Sequence, residues 1–457
     1  MQLPPSLINS LLSAKGFDEE AFKQVHESGV QITSVRSNPG KIFNTQYSIF
    51  NPQPEKIQWS SNGFYLEERP SFTLDPLFHA GAYYVQEASS MFLEEALKQT
   101  VDLTKPLRVL DLCAAPGGKS TLIQSVISAN SLLISNEVIK TRANVLAENI
   151  TKWGALNVIV TNNDPKDFQR LENYFDVIVV DAPCSGSGLF RKDPAAIEEW
   201  SEENVTLCSQ RQQRILADIM PSLKSGGILI YSTCSYSAAE DEAITNWLIS
   251  DCELSSLNFQ LNAAWNIVET VSPQHNGYGY RFYPDKLKGE GFFIAAFRKE
   301  QSVNDDLAGK QKNKQQKFPA NEIEVIKPYL NDPADLFFIK QNEELIALPL
   351  AVEHDLAIIR SALYIKKAGV KLGTIIRNEL IPHHELALST IIADGVRRIE
   401  VDKETALQYL RRFPMELGTN DTGWALITHE QLPLGWIKIL PNRINNYYPV
   451  SWRILNK

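Results

Sequence analysis

The sequence of 457 residues predicts an α/β protein whose central part is a parallel, doubly wound sheet. Short apolar runs alternate with helical stretches through the middle of the chain, and a polar segment separates this part from a second apolar region. Strands that are buried on both faces and joined by helices are typical of parallel sheets. The chain is long enough for two or three domains, each with a core.

The composition, 44% hydrophobic and 22% charged, is that of a globular protein. No apolar run has the length of a membrane span, and the first residues lack the features of a secretory signal. The five cysteines include no C-x-x-C pair, so we expect no disulfide framework, no metal and a reducing, cytoplasmic setting. The net charge of −9 gives no support to a nucleic-acid partner. Residues 371–457, with 11 Lys/Arg against 9 Asp/Glu, nevertheless carry a charge of 11 − 9 = +2.

Four segments follow from the pattern along the chain. We expect an α/β unit over residues 1–75, a central domain over 76–299, a polar linker over 300–319 and a separately folding region over 320–457. The first unit opens with amphipathic stretches and strand-like pieces: Pro5–Ser13, Asp18–Ser28, Val30–Val35, Phe43–Phe50 and Gly63–Leu66.

The central domain contributes the sheet. Its strand-like runs are Leu107–Leu112, Leu132–Ser135, Asn157–Thr161, Val177–Val180 and Gly227–Ser232. The helical stretches between them are Ser120–Ser128, Lys140–Trp153, Val205–Leu223 and Glu240–Leu248. Two last runs, Tyr280–Pro284 and Gly291–Arg298, leave no room for a helix and predict an antiparallel hairpin that closes the sheet.

The first motif with chemistry is VLDLCAAPGGKS at Val109–Ser120, a strand, a loop of small residues and a helix. Such a loop lets backbone N–H groups and a helix N-terminus approach a ligand. It is not the dinucleotide G-x-G-x-x-G, and a P-loop would need glycine where Cys113 stands. A nucleotide hydrolase stays an alternative, because the run FDVIVVDAP resembles the strand that holds magnesium in those enzymes.

Two more strands end in reactive residues. Asp181 and Cys184 follow one apolar run, and Cys234 follows another. A lone cysteine is more often a small core residue, but two at the ligand-binding edge of one sheet are harder to explain that way. Methylation of carbon 5 of cytosine suits the pair. A thiolate must add to carbon 6 to activate carbon 5, and a second group can assist its later release.

These motifs, in this order, resemble those of the Nop/Sun (Fmu) family of RNA 5-methylcytosine methyltransferases. DLCAAPGGKS, DAPCSGSG and YSTCSYS match the family's cofactor loop, Pro-Cys motif and Thr-Cys motif. HAGAYYVQEASSM (His79–Met91) is similar to its upstream segment, although Ala88 stands where many members have proline. RFYPDKLKGEGFF (Arg281–Phe293) is similar to its closing hairpin. The resemblance implies a Rossmann-like class I methyltransferase core.

The resemblance also implies that the cofactor is S-adenosylmethionine. Glu137 would accept hydrogen bonds from the ribose, with support from Arg142. Asp164 would contact the adenine amino group, with Asp167 as its rival. The methionine end would lie against the cofactor loop, which consists of Cys113, Ala114, Ala115, Pro116, Gly117, Gly118 and Lys119.

For the chemistry, the resemblance implies that Cys234 attacks the base, that Cys184 assists release and that Asp181 bridges cofactor and target base. DNA cytosine methyltransferases attack from their Pro-Cys motif and lack the second cysteine, so the pair favours RNA. No metal is required.

The ends of the chain extend the resemblance. Ile32–Pro39 is similar to the family's ferredoxin-like RNA-binding unit, and Gly423–Ile454 to the PUA-like tail of bacterial members that modify small-subunit ribosomal RNA. We therefore expect a monomer that methylates small-subunit rRNA. A tRNA substrate and a non-catalytic RNA-binding assembly factor are the alternatives. Candidate phosphate contacts are Arg397, Arg398, Arg411, Arg412, Lys438, Arg443 and Arg453, whereas Trp424, Trp436 and Trp452 are expected in the core.

Overall fold

The structure is a computed structural model that describes residues 3–41, 49–50, 54–300, 318–418 and 421–455. Nearly all of the predicted linker at 300–319, and most of the strand-like piece at Phe43–Phe50, lie outside these residues. Within them, no helix is both long and apolar enough to cross a bilayer.

The amino-terminal part is an α/β unit, as predicted. Asp18 caps the second helix by accepting a hydrogen bond from the Ala21 amide at 3.1 Å, where the sequence predicted a helix start. Its three strands form an antiparallel sheet in the order β2-β1-β3, and the third strand lies beyond residue 75, the predicted end of this unit. The elements are α1 (Pro5–Leu11), α2 (Glu19–Glu27), β1 (Thr33–Ser37), β2 (Gly63–Leu66), α3 (Pro76–His79) and β3 (Tyr83–Val85).

The predicted parallel sheet is present. Its elements are α4 (Leu93–Thr100), β4 (Arg108–Asp111), α5 (Gly118–Val126), β5 (Leu132–Asn136), α6 (Lys140–Trp153), β6 (Val158–Thr161), β7 (Phe175–Asp181), α7 (Ala195–Glu199), α8 (Glu202–Ile219) and β8 (Leu223–Thr233). The strands β6-β5-β4-β7-β8 pair in parallel, and all carry fully buried aliphatic side chains.

Antiparallel strands extend this sheet beyond β8. The remaining elements of the central domain are α9 (Glu242–Ser250), β9 (Leu254–Leu257), β10 (Val268–Val271), β11 (Tyr278–Phe282) and β12 (Phe292–Lys299). The pair β11 and β12 confirms the predicted closing hairpin, and β12 also pairs with β8. The sequence analysis did not predict β9 and β10.

The carboxy-terminal region forms two further four-stranded sheets, in the orders β13-β14-β16-β17 and β18-β19-β20-β21. Its helices are α10 (Ala320–Ile326), α11 (Glu353–Ala362), α12 (His384–Leu388) and α13 (Lys403–Arg411). Its strands are β13 (Leu336–Gln341), β14 (Glu344–Pro349), β15 (Ile365–Ala368), β16 (Val370–Ile376), β17 (Glu379–Pro382), β18 (Arg398–Glu400), β19 (Gly423–His429), β20 (Leu432–Leu440) and β21 (Arg443–Asn446).

The region at residues 320–457, for which the sequence predicts separate folding, is in extensive contact with the rest of the chain. Strand β15 joins the central sheet by pairing antiparallel with β6, and this covers an edge that would otherwise expose unpaired backbone groups. Leu356 and Ile359 of α11 pack in one cluster with Phe168 of the central domain. On the other side, Tyr409 shares a cluster with Val35 of the amino-terminal unit. The three parts therefore share their cores.

Candidate active site

The cofactor loop connects β4 to α5. Gly117 has a φ of +118°, a conformation that favours glycine, and α5 begins immediately after it. The Ser120 hydroxyl donates to Asp111 Oδ2 at 2.7 Å, which joins the end of the strand to the first turn of the helix. Burial raises the pKa of Asp111 to about 7. This carboxyl was not predicted, because nothing in the local sequence pattern distinguishes it from other strand-end acids.

Side chains from α6 hold the loop from outside. Arg142 Nη2 donates to the Ala115 carbonyl at 2.8 Å, and its Nη1 lies 3.5 Å from Glu137 Oε2. Asn149 Nδ2 donates to the Pro116 carbonyl at 2.8 Å. The structure thus places Arg142 between the loop and Glu137, although only the second contact was anticipated.

The predicted nucleoside contacts follow the next two strands. Glu137 is 3% exposed and accepts from the Ile139 amide at 2.9 Å. Asp164 is exposed and begins a short 3₁₀ helix. Its rival Asp167 accepts from the Asp164 amide and pairs with Arg170 at 3.3 Å, so Asp164 is the freer of the two carboxylates.

Asn136 connects the loops after three strands, and the sequence analysis missed it. Its Nδ2 donates to the Leu112 and Asn163 carbonyls at 3.2 and 3.0 Å, and its Oδ1 accepts from the Asn163 amide at 3.0 Å. In the sequence, the only local indication of this role is an amide side chain at the end of an apolar strand.

A cavity of about 180 Å³ lies beside the cofactor loop. It is lined by the cofactor loop, by Asp181 and by the upstream segment at 84–87. The cofactor loop and the upstream segment approach each other closely, because a Cβ on Gly118 would lie only 3.3 Å from Tyr84 Cε1. The cofactor loop forms one wall of this cavity, and Glu137 follows the neighbouring strand β5 outside the cavity lining. A loop of small residues before a helix, with a carboxylate after the next strand, is a chemically suitable set for a ligand with an amino-acid end and a ribose diol.

Arg36 couples the amino-terminal unit to this loop. It is 1% exposed, donates from Nη2 to Thr121 Oγ1 at 2.6 Å and from Nε to Gln86 Oε1 at 2.9 Å. Its guanidinium carbon lies 4.6 Å from the centroid of the Trp153 ring. Burial lowers the pKa of Arg36 to about 9. Because Thr121 lies on α5, strand β1 and the cofactor helix are held together.

The two predicted cysteines meet. Strands β7 and β8 are parallel neighbours whose pairing ends at Asp181 and Ser232, and each cysteine follows within a few residues. Cys184 Sγ and Cys234 Sγ are 3.0 Å apart, and both thiols are free. The hydrogen bond with Cys234, together with burial, raises the pKa of Cys184 well above its ordinary value.

Asp181 joins the cysteines to the cofactor loop. The Lys119 ammonium lies 2.7 Å from Asp181 Oδ2, and the Ser232 hydroxyl donates to Oδ1 at 2.8 Å. Burial disfavours the charged lysine, but Asp181 outweighs it and holds the pKa of Lys119 above its ordinary value. This ion pair was missed, because residues 119 and 181 are distant in sequence.

Glycines allow the loops to approach one another. The Gly188 amide donates to the Cys234 carbonyl at 2.8 Å, and the Gly291 amide donates to the Gly188 carbonyl at 3.1 Å. Arg281 of the closing hairpin donates to the Tyr236 carbonyl at 2.8 Å and pairs with Asp241 at 3.1 Å. The hairpin and both cysteine motifs therefore form one packed unit.

Three of the candidate RNA contacts pair with residues of their own region. Arg397 donates to the Asp421 carbonyl at 2.8 Å, Arg398 lies 3.6 Å from Asp394, and Lys438 lies 3.0 Å from Glu379. Of the three tryptophans, Trp436 is fully buried. Among the described residues, no three His, Cys, Asp or Glu side chains are grouped as a metal site.

Three family models match the chain in order. The N-terminal domain of 16S rRNA methyltransferase RsmF matches residues 3–88, the 16S rRNA methyltransferase RsmB/F model matches 98–298, and the methyltransferase RsmF PUA domain matches 396–454. A ribosomal RNA small subunit methyltransferase F from Shewanella loihica is 30% identical over 91% of this chain and 88% of its own. The Pectobacterium atrosepticum enzyme of that name has the same identity and coverage.

Solved structures share the fold. A methyltransferase homologue from Pyrococcus horikoshii is 28% identical, with a TM-score of 0.52 over 65% of this chain and 100% of its own. NSun6 from Pyrococcus horikoshii, solved with SFG, is 19% identical, with a TM-score of 0.55 over 65% of this chain and 99% of its own.

Proposed function

Because this chain belongs to the ribosomal RNA small subunit methyltransferase F family, we propose that it methylates carbon 5 of a cytosine in 16S rRNA through a covalent bond to Cys234. It is an RNA methyltransferase that depends on S-adenosylmethionine. The observation that carries the covalent mechanism is the 3.0 Å separation of two free thiols at the carboxyl ends of adjacent strands. Asp181 joins them to the cofactor loop.

The residues around the cavity fit the cofactor. When bound, S-adenosylmethionine supplies an electrophilic methyl group. Glu137 and Asp164 would hold its nucleoside, and the loop at Cys113–Lys119 would hold the amino-acid end through backbone groups. Arg142 keeps both the loop and Glu137 in place. Lys119 contributes by fixing Asp181, the residue that would lie between this ligand and the target base.

Cys234 is the nucleophile in this proposal. Its thiolate forms a bond to carbon 6 of the cytosine, and carbon 5 gains the electron density it needs to accept a methyl group. Either sulfur of the pair can donate the hydrogen bond. When Cys234 is the thiolate, Cys184 is the donor and keeps its proton, which its raised pKa favours. Asp181, which is held by Lys119 and Ser232, would bind the polar edge of the base.

Release depends on Cys184. Once Cys234 is bonded to carbon 6, it is a neutral thioether, so the hydrogen bond that contributes most to the raised pKa of Cys184 is lost, while burial and Glu240 still raise that pKa. Cys184 can then lose its proton to solvent and accept the proton from carbon 5. As that proton leaves, the bond between Cys234 and carbon 6 breaks and the thiolate is restored.

The Cys234 thiolate must reach carbon 6 from the face of the cytosine ring. A base stacked in a helix shields carbon 6 from attack on its face, so the target is flipped out or lies in a single-stranded or distorted segment. The PUA-type module and the amino-terminal unit would recognise the shape of the RNA. We further propose that the protein acts as a cytoplasmic monomer. The five free cysteines are consistent with that compartment.

Two variants test the mechanism. With 16S rRNA and S-adenosylmethionine, Cys234→Ala should form neither 5-methylcytidine nor a covalent complex. Cys184→Ala should form a protein–RNA complex that survives denaturing electrophoresis, because addition proceeds and release stalls. A complex formed by Cys234→Ala but not by Cys184→Ala would reverse the two roles.

A further inference from the structure

A buried carboxylate lies between the two cysteine loops. Glu240 is 0% exposed. Its Oε1 accepts from the Ser185 amide at 2.8 Å and from Gln212 Nε2 at 3.1 Å. Its Oε2 accepts from the hydroxyls of Ser185 and Ser235 at 2.5 and 2.6 Å. Each of these serines directly follows one of the two cysteines.

A second layer supports the carboxylate. Gln212 of α8 also donates to the Pro183 carbonyl at 3.0 Å, so both neighbours of Cys184 are held. The Tyr231 hydroxyl lies 2.7 Å from the Glu240 carbonyl oxygen and 3.0 Å from Gln212 Oε1, and its one proton can be donated to either. In the described part of the chain, Glu240 forms no ion pair, and burial of a carboxylate is costly unless hydrogen bonds compensate. Here four hydrogen-bond donors compensate for the burial of the Glu240 carboxylate.

We propose that Glu240 is a positioning residue that sets the separation of Cys184 Sγ and Cys234 Sγ. The sheet cannot set that separation alone, because the pairing of β7 with β8 ends at Asp181 and Ser232, before either cysteine. Beyond that point the carboxylate is a bridge between the two loops. The inference rests on the proposed function, since the separation matters only if both thiols act on one base.

Glu240→Gln distinguishes a positioning role from a role of the negative charge. If Glu240 acts by position, this variant should keep most of the activity, and if it acts by charge, the variant should lose it. Glu240→Gln keeps the shape: its carbonyl accepts from the Ser185 amide, and its NH₂ donates to the two serine hydroxyls, which accept as well as donate. Glu240→Ala leaves all four donors unpaired. A displacement of about 1 Å costs roughly 100-fold in rate. We expect kcat to fall about 100-fold in Glu240→Ala and less than about tenfold in Glu240→Gln, with the KM for RNA unchanged in both.

Glu94 provides the matched control. It is 2% exposed and accepts from the Ser60 hydroxyl at 2.9 Å and the Ser61 amide at 3.0 Å, but it contacts neither cysteine loop. Glu94→Ala should destabilise the fold and leave kcat unchanged. If Glu240→Ala does not fold, the double variant Ser185→Ala, Ser235→Ala removes only the two hydroxyl donors and should lose about tenfold in kcat.

Thiol crosslinking gives a readout without RNA. Diamide, an azo oxidant, takes two electrons and two protons from the thiols of Cys184 and Cys234, which form an S–S bond while the azo group becomes a hydrazine. The 3.0 Å separation favours rapid crosslinking in the wild type, and Glu240→Ala should slow it about tenfold or more, as peptide mapping would measure. Glu240→Gln and Glu94→Ala should crosslink at the wild-type rate.

Two results would overturn the proposal. One is a folded Glu240→Ala whose kcat and crosslinking rate match those of the wild type. The other is a Glu240→Gln as slow as Glu240→Ala, which would assign the effect to charge. If the wild type forms no 5-methylcytidine, the proposed function fails, yet the crosslinking rates still test whether Glu240 sets the separation of the thiols.

Discussion

Gly188→Ala tests how the loop that carries Cys184 packs against the backbone of Cys234. A Cβ at this position would lie 2.5 Å from the Gly291 carbonyl oxygen and 2.8 Å from that of Cys234. Since Cβ contacts below 3.0 Å are essentially never seen, the backbone must move by at least 3.0 − 2.5 = 0.5 Å. Overpacking of this kind costs about 1–3 kcal/mol in the free energy of unfolding. Because the Cys234 backbone is one of the two contacts, kcat should fall about 10- to 100-fold.

Gly186→Ala is the control in the same loop. Its Cβ would meet no atom within 4 Å, although its φ of +75° adds backbone strain of roughly 1–2 kcal/mol. Both variants should thus lose similar stability in urea unfolding, but only Gly188→Ala should lose methyl transfer under single-turnover conditions. Wild-type kcat in Gly188→Ala, or an equal loss in Gly186→Ala, would refute the reasoning from loop packing.

Three further predictions concern the cofactor side of the site. Lys119→Met removes the partner of Asp181 at 2.7 Å and should lower kcat about tenfold or more in initial-rate assays; an unchanged kcat would mean that the pair is dispensable. Glu137→Gln weakens a charge-assisted hydrogen bond of about 1.5–3 kcal/mol, so calorimetry should show the Kd for S-adenosylmethionine raised at least about tenfold. The pKa of Asp111, about 7 in the folded state, exceeds that of the unfolded chain, so its contribution to stability is present below the unfolded value and is lost as pH rises through about 7. Asp111→Asn should therefore lose less free energy of unfolding than the wild type between pH 5 and pH 8, and parallel losses would contradict the assignment.

The parallel core was predictable because its signals are local. Runs of aliphatic residues mark β4 to β8, and the helix predicted at Lys140–Trp153 has those bounds in the structure. Gly154, with a φ of +86°, ends it, as glycine does at many helix C-termini. The proximity of the two strand-end cysteines could also be predicted from the sequence. Parallel neighbours place their carboxyl ends at one edge of the sheet.

The way the parts pack together could not be predicted. Strand β15 has the pattern of an ordinary short strand, and nothing local indicates that its partner is β6, some two hundred residues earlier. The apolar residues of α11 and α13 pack on the central domain and on the amino-terminal unit, and their sequence pattern does not indicate these partners. The domain boundaries therefore stay a prediction.

The hydrogen-bond and ion-pair partners of individual side chains could not be predicted from the sequence either. The pairing of Lys119 with Asp181 and the four hydrogen bonds of Glu240 join residues whose proximity depends on the whole fold. The predicted cofactor residues were found from motif resemblance, whereas Arg36, Asp111 and Asn136 emerged only from their contacts.

The most direct test identifies the methylated nucleoside. The protein would be incubated with methyl-labelled S-adenosylmethionine and, separately, unmodified 16S rRNA, assembled small subunits, tRNA and DNA, and each nucleic acid would be digested to nucleosides. The account predicts labelled 5-methylcytidine from 16S rRNA or from the small subunit. Label in tRNA alone would keep the chemistry and contradict the substrate. Absence of label in every sample, with the cofactor bound, would contradict the account and favour a non-catalytic RNA-binding protein.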